Sequence, residues 1–91
     1  MNIKNLNDSN INDLFEVFLK LETIEDCRDL FDDLCTYKEL EQMLQRINAA
    51  KYLLNGETYD EVIKKTNISS ATLSRVSKCV KYGKGYKKFL K

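Results

Sequence analysis

The sequence predicts an all-α fold, and three observations carry the prediction. The 91 residues contain no proline and only three glycines, Gly56, Gly83 and Gly85, so long stretches run without a helix breaker. Four cap residues are each followed three positions later by an acid: Asn10–Asp13, Thr23–Asp26, Thr36–Glu39 and Thr58–Glu61. That is the capping box or its aspartate variant, which satisfies orphan N–H groups where a helix begins. Behind every one of these signatures apolar residues recur at helical spacing, and none alternate with the period of two that a half-buried strand needs.

The elements follow in order. Asn10 leads into Ile11, Leu14, Phe15, Phe18 and Leu21, and Thr23 into Cys27, Leu30, Phe31 and Leu34. Thr36 leads into Leu40, Met43, Leu44, Ile47, Ala50 and Leu54, a long helix that Asn55-Gly56 ends in a left-handed cap. Thr58 leads into Val62 and Ile63 in a helix of barely two turns. Asn67-Ile68-Ser69 then interrupts the pattern. A further helix begins at about Ser70, turns Leu73, Val76 and Val80 inward, and stops near Tyr82-Gly83-Lys84-Gly85. The tail YKKFLK has room for one last turn, and no internal repeat is present.

Ninety-one residues make one domain, and a chain of this size buries only about 60–65% of its surface. Oligomerisation is the common remedy. The first helix supports it, because Leu14, Phe15, Val17, Phe18 and Leu19 are apolar on more than one side, whereas a surface helix of a monomer needs a single stripe. The organisation expected is therefore a single domain over 1–91, with acidic dimerisation helices over 1–56, a helix pair over 57–82 and a basic tail over 83–91. The polar start MNIKNLNDSN and the lack of an 18-residue apolar run predict a cytoplasmic protein with no membrane partner. Cys27, Cys35 and Cys79 form no CxxC pair and the chain has no histidine, so a Cys/His zinc site is excluded. Reduced, mostly buried thiols are expected instead. No metal and no cofactor are expected.

Net charge is +1, but its distribution is uneven. Residues 1–42 carry four basic and eleven acidic side chains, and residues 43–91 carry eleven basic and three acidic. No acid follows Glu61. Such asymmetry points to a polyanion as the partner of the basic half.

A short helix, a three-residue break and a second helix make the helix-turn-helix arrangement. In it the second helix enters the major groove with its N-terminal residues at the base edges. Val62, Ile68, Leu73 and Val76 fall where the two helices must pack, and Asn67 falls at the tight turn, where asparagine tolerates positive φ best after glycine. This arrangement explains the stretch TNISSATLSR. Hydroxyl residues are poor choices for a helix interior. Either Ser69 or Ser70 can cap the helix, but Ser69, Ser70, Thr72 and Ser74 are too numerous for capping alone and can bond bases or phosphates. Ala71 permits close approach to the groove. Arg75, Lys78 and Lys81 follow for base or phosphate contacts, and Tyr59, Lys64 and Lys65 meet the backbone from the first helix. Double-stranded DNA is the expected partner.

The segment from Phe31 to Tyr86, with its blocks FDDLCT, ELEQMLQR, LLNGETYDEV, ATLSRV and KYG, resembles the YerC/YecD group of the Trp repressor superfamily. The resemblance covers nearly the whole chain. It departs at Asn67, where such sequences usually have glycine. It implies a Trp-repressor-like intertwined helical homodimer with a helix-turn-helix on each subunit, and a bacterial transcriptional regulator. By the same resemblance Arg46 and Arg75 match the two arginines of the repressor's tryptophan site, and Thr36 and Thr72 match its two threonines. Val76, however, stands where that site has glycine, and Cys79 where it has serine. Valine adds three carbons to a slot sized for an indole, and a thiol is a weak partner for an amino group. Tryptophan is therefore not the expected ligand.

Enzyme chemistry finds no support, for there is no histidine, no glycine-rich phosphate loop and no acid cluster in the basic half. The competing reading is a protein-interaction module whose basic half docks on an acidic partner without a DNA site. Heparin retention followed by a duplex shift assay separates the two.

Overall fold

A computed structural model of the chain describes residues 8–91. The first seven residues of the polar start MNIKNLNDSN, which the cytoplasmic expectation uses, lie outside the described residues. Six helices make up the described secondary structure: α1 (Asp8–Phe18), α2 (Ile24–Leu34), α3 (Tyr37–Leu54), α4 (Tyr59–Thr66), α5 (Ser70–Tyr82) and α6 (Gly85–Phe89). The packing divides them into two compact units, Met1–Thr36 and Tyr37–Lys91. Helix α3 packs with the helices that follow it.

The N-terminal unit holds α1 and α2. Helix α1 begins upstream of the expected cap, so Asn10 lies inside the helix. The reason is that the first N–H groups of a helix need no intrahelical acceptor, which lets a start slide by a residue or two without losing a bond. The helix also ends sooner than expected. Lys20 N–H bonds the Val17 carbonyl and Leu21 N–H bonds the Phe18 carbonyl, each at 3.1 Å, a tightened turn that leaves Leu21 outside α1. Thr23 does cap α2, accepting the Asp26 N–H at 3.0 Å. The reciprocal arm is displaced by one residue: the Asp26 carboxylate accepts the N–H of Glu22 at 3.0 Å. Phe18 and Phe31 hold α1 and α2 together, with ring centroids 5.4 Å apart.

The C-terminal unit is built on α3, which touches α4, α5 and α6. Its core comprises Ala49 and Ala50 from α3, Val62 from α4, Ile68 from the break, and Leu73 and Val76 from α5. Tyr52, Leu53, Ile63, Val80, Tyr86 and Leu90 pack around that cluster. Alanines at the crossing let α3 and α5 approach closely. Gly56 ends α3 with φ +88, and the N–H of Glu57 bonds back to the Tyr52 carbonyl at 3.1 Å, as the left-handed cap requires. The three thiols are unpaired and half-buried, less deeply placed than the sequence predicts.

Helix α5 stops at Gly83 for a steric reason. The Gly83 N–H bonds the Cys79 carbonyl at 2.8 Å, and a Cβ built on Gly83 would lie 2.6 Å from that same oxygen. The chain then turns into α6, the last turn allowed for by the tail. Lys87 Nζ donates to the Lys81 carbonyl at 2.7 Å, placing a cation at the negative end of α5. Gly83→Ala is expected to cost about 1–3 kcal/mol, because backbone must move to admit the methyl group. For a chain of this size that is roughly 4–8 °C of melting temperature per kcal/mol, readable by calorimetry. Gly85→Ala, with nothing within 4 Å of the added carbon, serves as the neutral control.

Candidate nucleic-acid interface

The α4–α5 pair is specified locally. Thr58 and Glu61 form a complete capping box: the Thr58 hydroxyl accepts the Glu61 N–H at 3.3 Å, and the Glu61 carboxylate accepts the Thr58 N–H at 3.2 Å. The Thr58 hydroxyl also donates to that carboxylate at 2.9 Å. These bonds to Thr58 hold the Glu61 carboxyl below its ordinary range. At the other end, Thr66 closes α4 by donating its hydroxyl to the Val62 carbonyl at 2.8 Å. Asn67 then takes φ +58 and ψ +23, the left-handed conformation expected of it, and its N–H bonds the Ile63 carbonyl at 2.8 Å. Ile68 drops into the core. Ser69 caps α5 by accepting the Thr72 N–H at 3.2 Å.

The hydroxyl cluster therefore divides. Ser69 donates its hydroxyl to Thr72 Oγ1 at 2.9 Å, so both side chains are drawn into the cap. Ser70, Ala71 and Ser74 stand exposed on the first turns of α5, with Arg75, Lys78 and Lys81 exposed behind them. Leu73, Val76 and Ser77 are the buried residues of the same helix. At 3.6 residues per turn, Ala71, Ser74, Arg75 and Lys78 share the outward arc opposite Leu73 and Val76. Tyr82 lies on that arc as well and is 84% exposed, a residue that sequence reasoning passed over. Its helical phase relative to Ala71 and Lys78 was the available signal.

On α4, Tyr59 and Lys64 are exposed. Lys65 is engaged: it pairs with Glu57 and sits 4.8 Å from the Tyr52 ring centroid. The hydrogen bond to Glu57 raises its pKa above the ordinary lysine value. Lys65 thus enters any phosphate contact by exchanging one anion for another, unlike Lys64.

The residues matched to a ligand site are partly brought together. Arg46 and Arg75 line one open cavity of about 490 Å³, walled by Cys79, Tyr86 and Phe89 and floored by Gly83 and Gly85. Thr72 lines a separate cleft, which it shares with Arg46. Thr36 stands in the N-terminal unit, just before α3. Val76 is 1% exposed and belongs to the core. Tyr86 and Phe89 were not anticipated, and nothing local could reveal them, since α6 reaches the cavity only through its packing on α3 and α5.

A family model described as Trp repressor protein matches residues 9–91. The chain belongs to the Trp repressor family. Within that family it is similar to YerC of Bacillus subtilis, a protein named as uncharacterized, at 40% identity over 83 residues, covering 91% of this chain and 80% of YerC. Two solved structures of the family agree with the fold. A Staphylococcus aureus protein described as a candidate Trp repressor superimposes with a TM-score of 0.92 at 36% identity, covering 99% of this chain and 91% of that one. A TrpR-like protein from Eubacterium eligens gives 0.87 at 35% identity, covering 93% and 89%. The family whose YerC/YecD group the blocks from FDDLCT to KYG resemble is thus the family found. None of the described helices is long and apolar enough to cross a membrane.

The left-handed Asn67 gives a direct test of the turn. Asn67→Ala should lose about 1 kcal/mol, because a Cβ-bearing residue without a short polar side chain pays the full left-handed penalty. Asn67→Gly should match or exceed the parent. Chemical denaturation of the three proteins reads the order.

Proposed function

We propose that the protein is a sequence-specific DNA-binding transcriptional regulator, a repressor in kind, that acts as a homodimer through a helix-turn-helix formed by α4 and α5. One observation carries the reading: the outward arc of α5 begins with the small uncharged residues Ser70, Ala71 and Ser74 and continues with Arg75, Lys78 and Lys81 and no acid. Short side chains let the helix seat deeply in a major groove, and the lysines behind them meet phosphate. No acid after Glu61 opposes that approach. Membership of the Trp repressor family supports the same function. Homodimerisation is supported by apolar side chains that one chain leaves uncovered, among them Leu14, Phe15 and Val17 on α1 and Leu44 and Ile47 on α3.

The roles follow from placement. Ser70, Ala71 and Ser74 meet base edges, with Thr72 and Ser69 fixing the helix start. Arg75, Lys78, Lys81, Lys64, Lys65 and Tyr59 serve the backbone. Two subunits related by a two-fold axis read an inverted repeat with half-sites about one helical turn apart. Arg46 and Arg75 line a cavity that does not serve as a tryptophan site. Val76 keeps the indole slot filled, and Cys79 offers no strong acceptor for an amino group.

Selection of bound duplexes from a random pool tests the function, on protein that light scattering shows to be two chains of 10.6 kDa. Ala71→Glu should abolish retention of the selected site while leaving the melting temperature unchanged. If each subunit neutralises roughly three to five phosphates, log K against log salt should slope at about −5 to −9 for the dimer. Lys64→Ala should weaken all sequences alike and make the slope shallower by about one to two units. Equal binding by parent and Ala71→Glu would overturn the reading.

Tryptophan at millimolar concentration should produce no saturable heat in calorimetry and no change in DNA affinity.

A further inference from the structure

Helix α3 sends one side chain to the point where the chain leaves α4. Gln45 Nε2 donates to the Thr66 carbonyl at 2.9 Å, in a part-buried bond that spans 21 positions of sequence. Thr66 is the last residue of α4. Its carbonyl is one of the four at a helix end that no intrahelical N–H can satisfy. The neighbouring groups are already used: Asn67 N–H bonds Ile63, and the Thr66 hydroxyl bonds Val62 and accepts the Ile68 N–H at 3.3 Å. Gln45 is therefore the α3 group that satisfies this end, at the residue before the left-handed turn.

The packing on both sides of Gln45 is open. One cleft of about 270 Å³ runs between Leu44 and Asn48 of α3 and Thr66 and Asn67. Another of about 370 Å³ runs between Gln42 and Arg46 and the cap residues Ser69 and Thr72. Gln45 lines both. The apolar contact that joins α3 to α4 and α5 lies one turn further along, at Ala49 and Ala50. Two alanines fix how closely the helices approach, but their short side chains resist pivoting weakly. At the turn, where a pivot would displace the start of α5 most directly, the bond from Gln45 adds a directional contact to the apolar packing of Ile68.

We infer that Gln45 is a positioning residue for DNA binding: through the Thr66 carbonyl it sets the angle at which α3 presents the N-terminal end of α5. The inference rests on the DNA-binding reading above. Two reading helices on one dimer must match half-sites about one helical turn apart, and a head free to pivot tolerates a spacing error that a fixed head rejects. Spacing preference is thus the property that Gln45 controls, and a role in stability alone would not change it.

The experiment compares the full-length parent with Gln45→Met, which keeps length and removes the donor, and Gln45→Lys, which keeps a donor within reach of the carbonyl. Each is titrated with the selected duplex and with duplexes whose half-sites are one base pair closer or further apart, and each is melted. Gln45→Met should bind the selected duplex about five- to tenfold more weakly, the worth of one hydrogen bond, and should discriminate among spacings less than the parent does. Gln45→Lys should restore the discrimination. Parent-like affinity and spacing preference in Gln45→Met would overturn the inference. So would affinity that falls only in step with the melting temperature while the spacing preference stays intact, or failure of the lysine rescue. A parent that selects no duplex overturns the DNA-binding reading and this one together. A parent that selects duplex, with Ala71→Glu abolishing retention, isolates any failure to Gln45.

Discussion

The close contact of Ala49 and Ala50 on α3 with Leu73 and Val76 on α5 is the constraint on which the C-terminal unit depends. All four are sealed from solvent, and Val62 and Ile68 complete the cluster. Apolar burial of this kind stabilises by about 25 cal/mol per Å² and has no direction, so it holds α5 against α3 without saying which way its outer face is used. What it does fix is which face is outer. Once Leu73 and Val76 are committed inward, Ala71, Ser74, Arg75 and Lys78 have nowhere to go but out. The candidate interface is the geometric complement of the core.

Charge then acts on a surface that packing has already drawn. The cations of the C-terminal unit are not equivalent. Lys65 is held by Glu57 and by the Tyr52 ring, and Lys87 is turned back onto the Lys81 carbonyl. Lys64, Lys78 and Lys81 are exposed, and no described ion pair involves them. Exposed ion pairs contribute little to stability, so the Lys65–Glu57 pair is better regarded as a lysine kept in one place than as a brace for the fold. The lysines left available to a polyanion are thus fewer than those counted in the sequence, because local pairing holds Lys65 and Lys87.

The caps and the turn were the most legible parts of the chain. Thr23, Thr58 and Ser69 bond N–H groups three residues away, and Asn67 needs only its own φ and ψ, so each is readable within a window of four residues. Asn10 shows where that logic stops. A cap signature fits a helix that has already begun, because the first turn does not require its cap to be the first residue. The buried set Val62, Ile68, Leu73 and Val76 was also legible, since helical phase alone places these residues on facing sides of two helices joined by a short break.

Taken by itself, the sequence determined the helices, most of their caps, the left-handed turn and the acid-free outer arc of α5, because each depends on neighbours within about one or two turns. Only the tertiary structure decided which of these pieces meet. Arg46 and Arg75 share a cavity with Tyr86 and Phe89 because α3, α5 and α6 pack together there, and Gln45 finds the Thr66 carbonyl because α3 runs past the end of α4. Such contacts join groups far apart in the chain. Helical periodicity says which face of each helix is available, but the distance and rotation between two helices come from the side chains at their crossing, here a pair of alanines whose small size no local pattern explains.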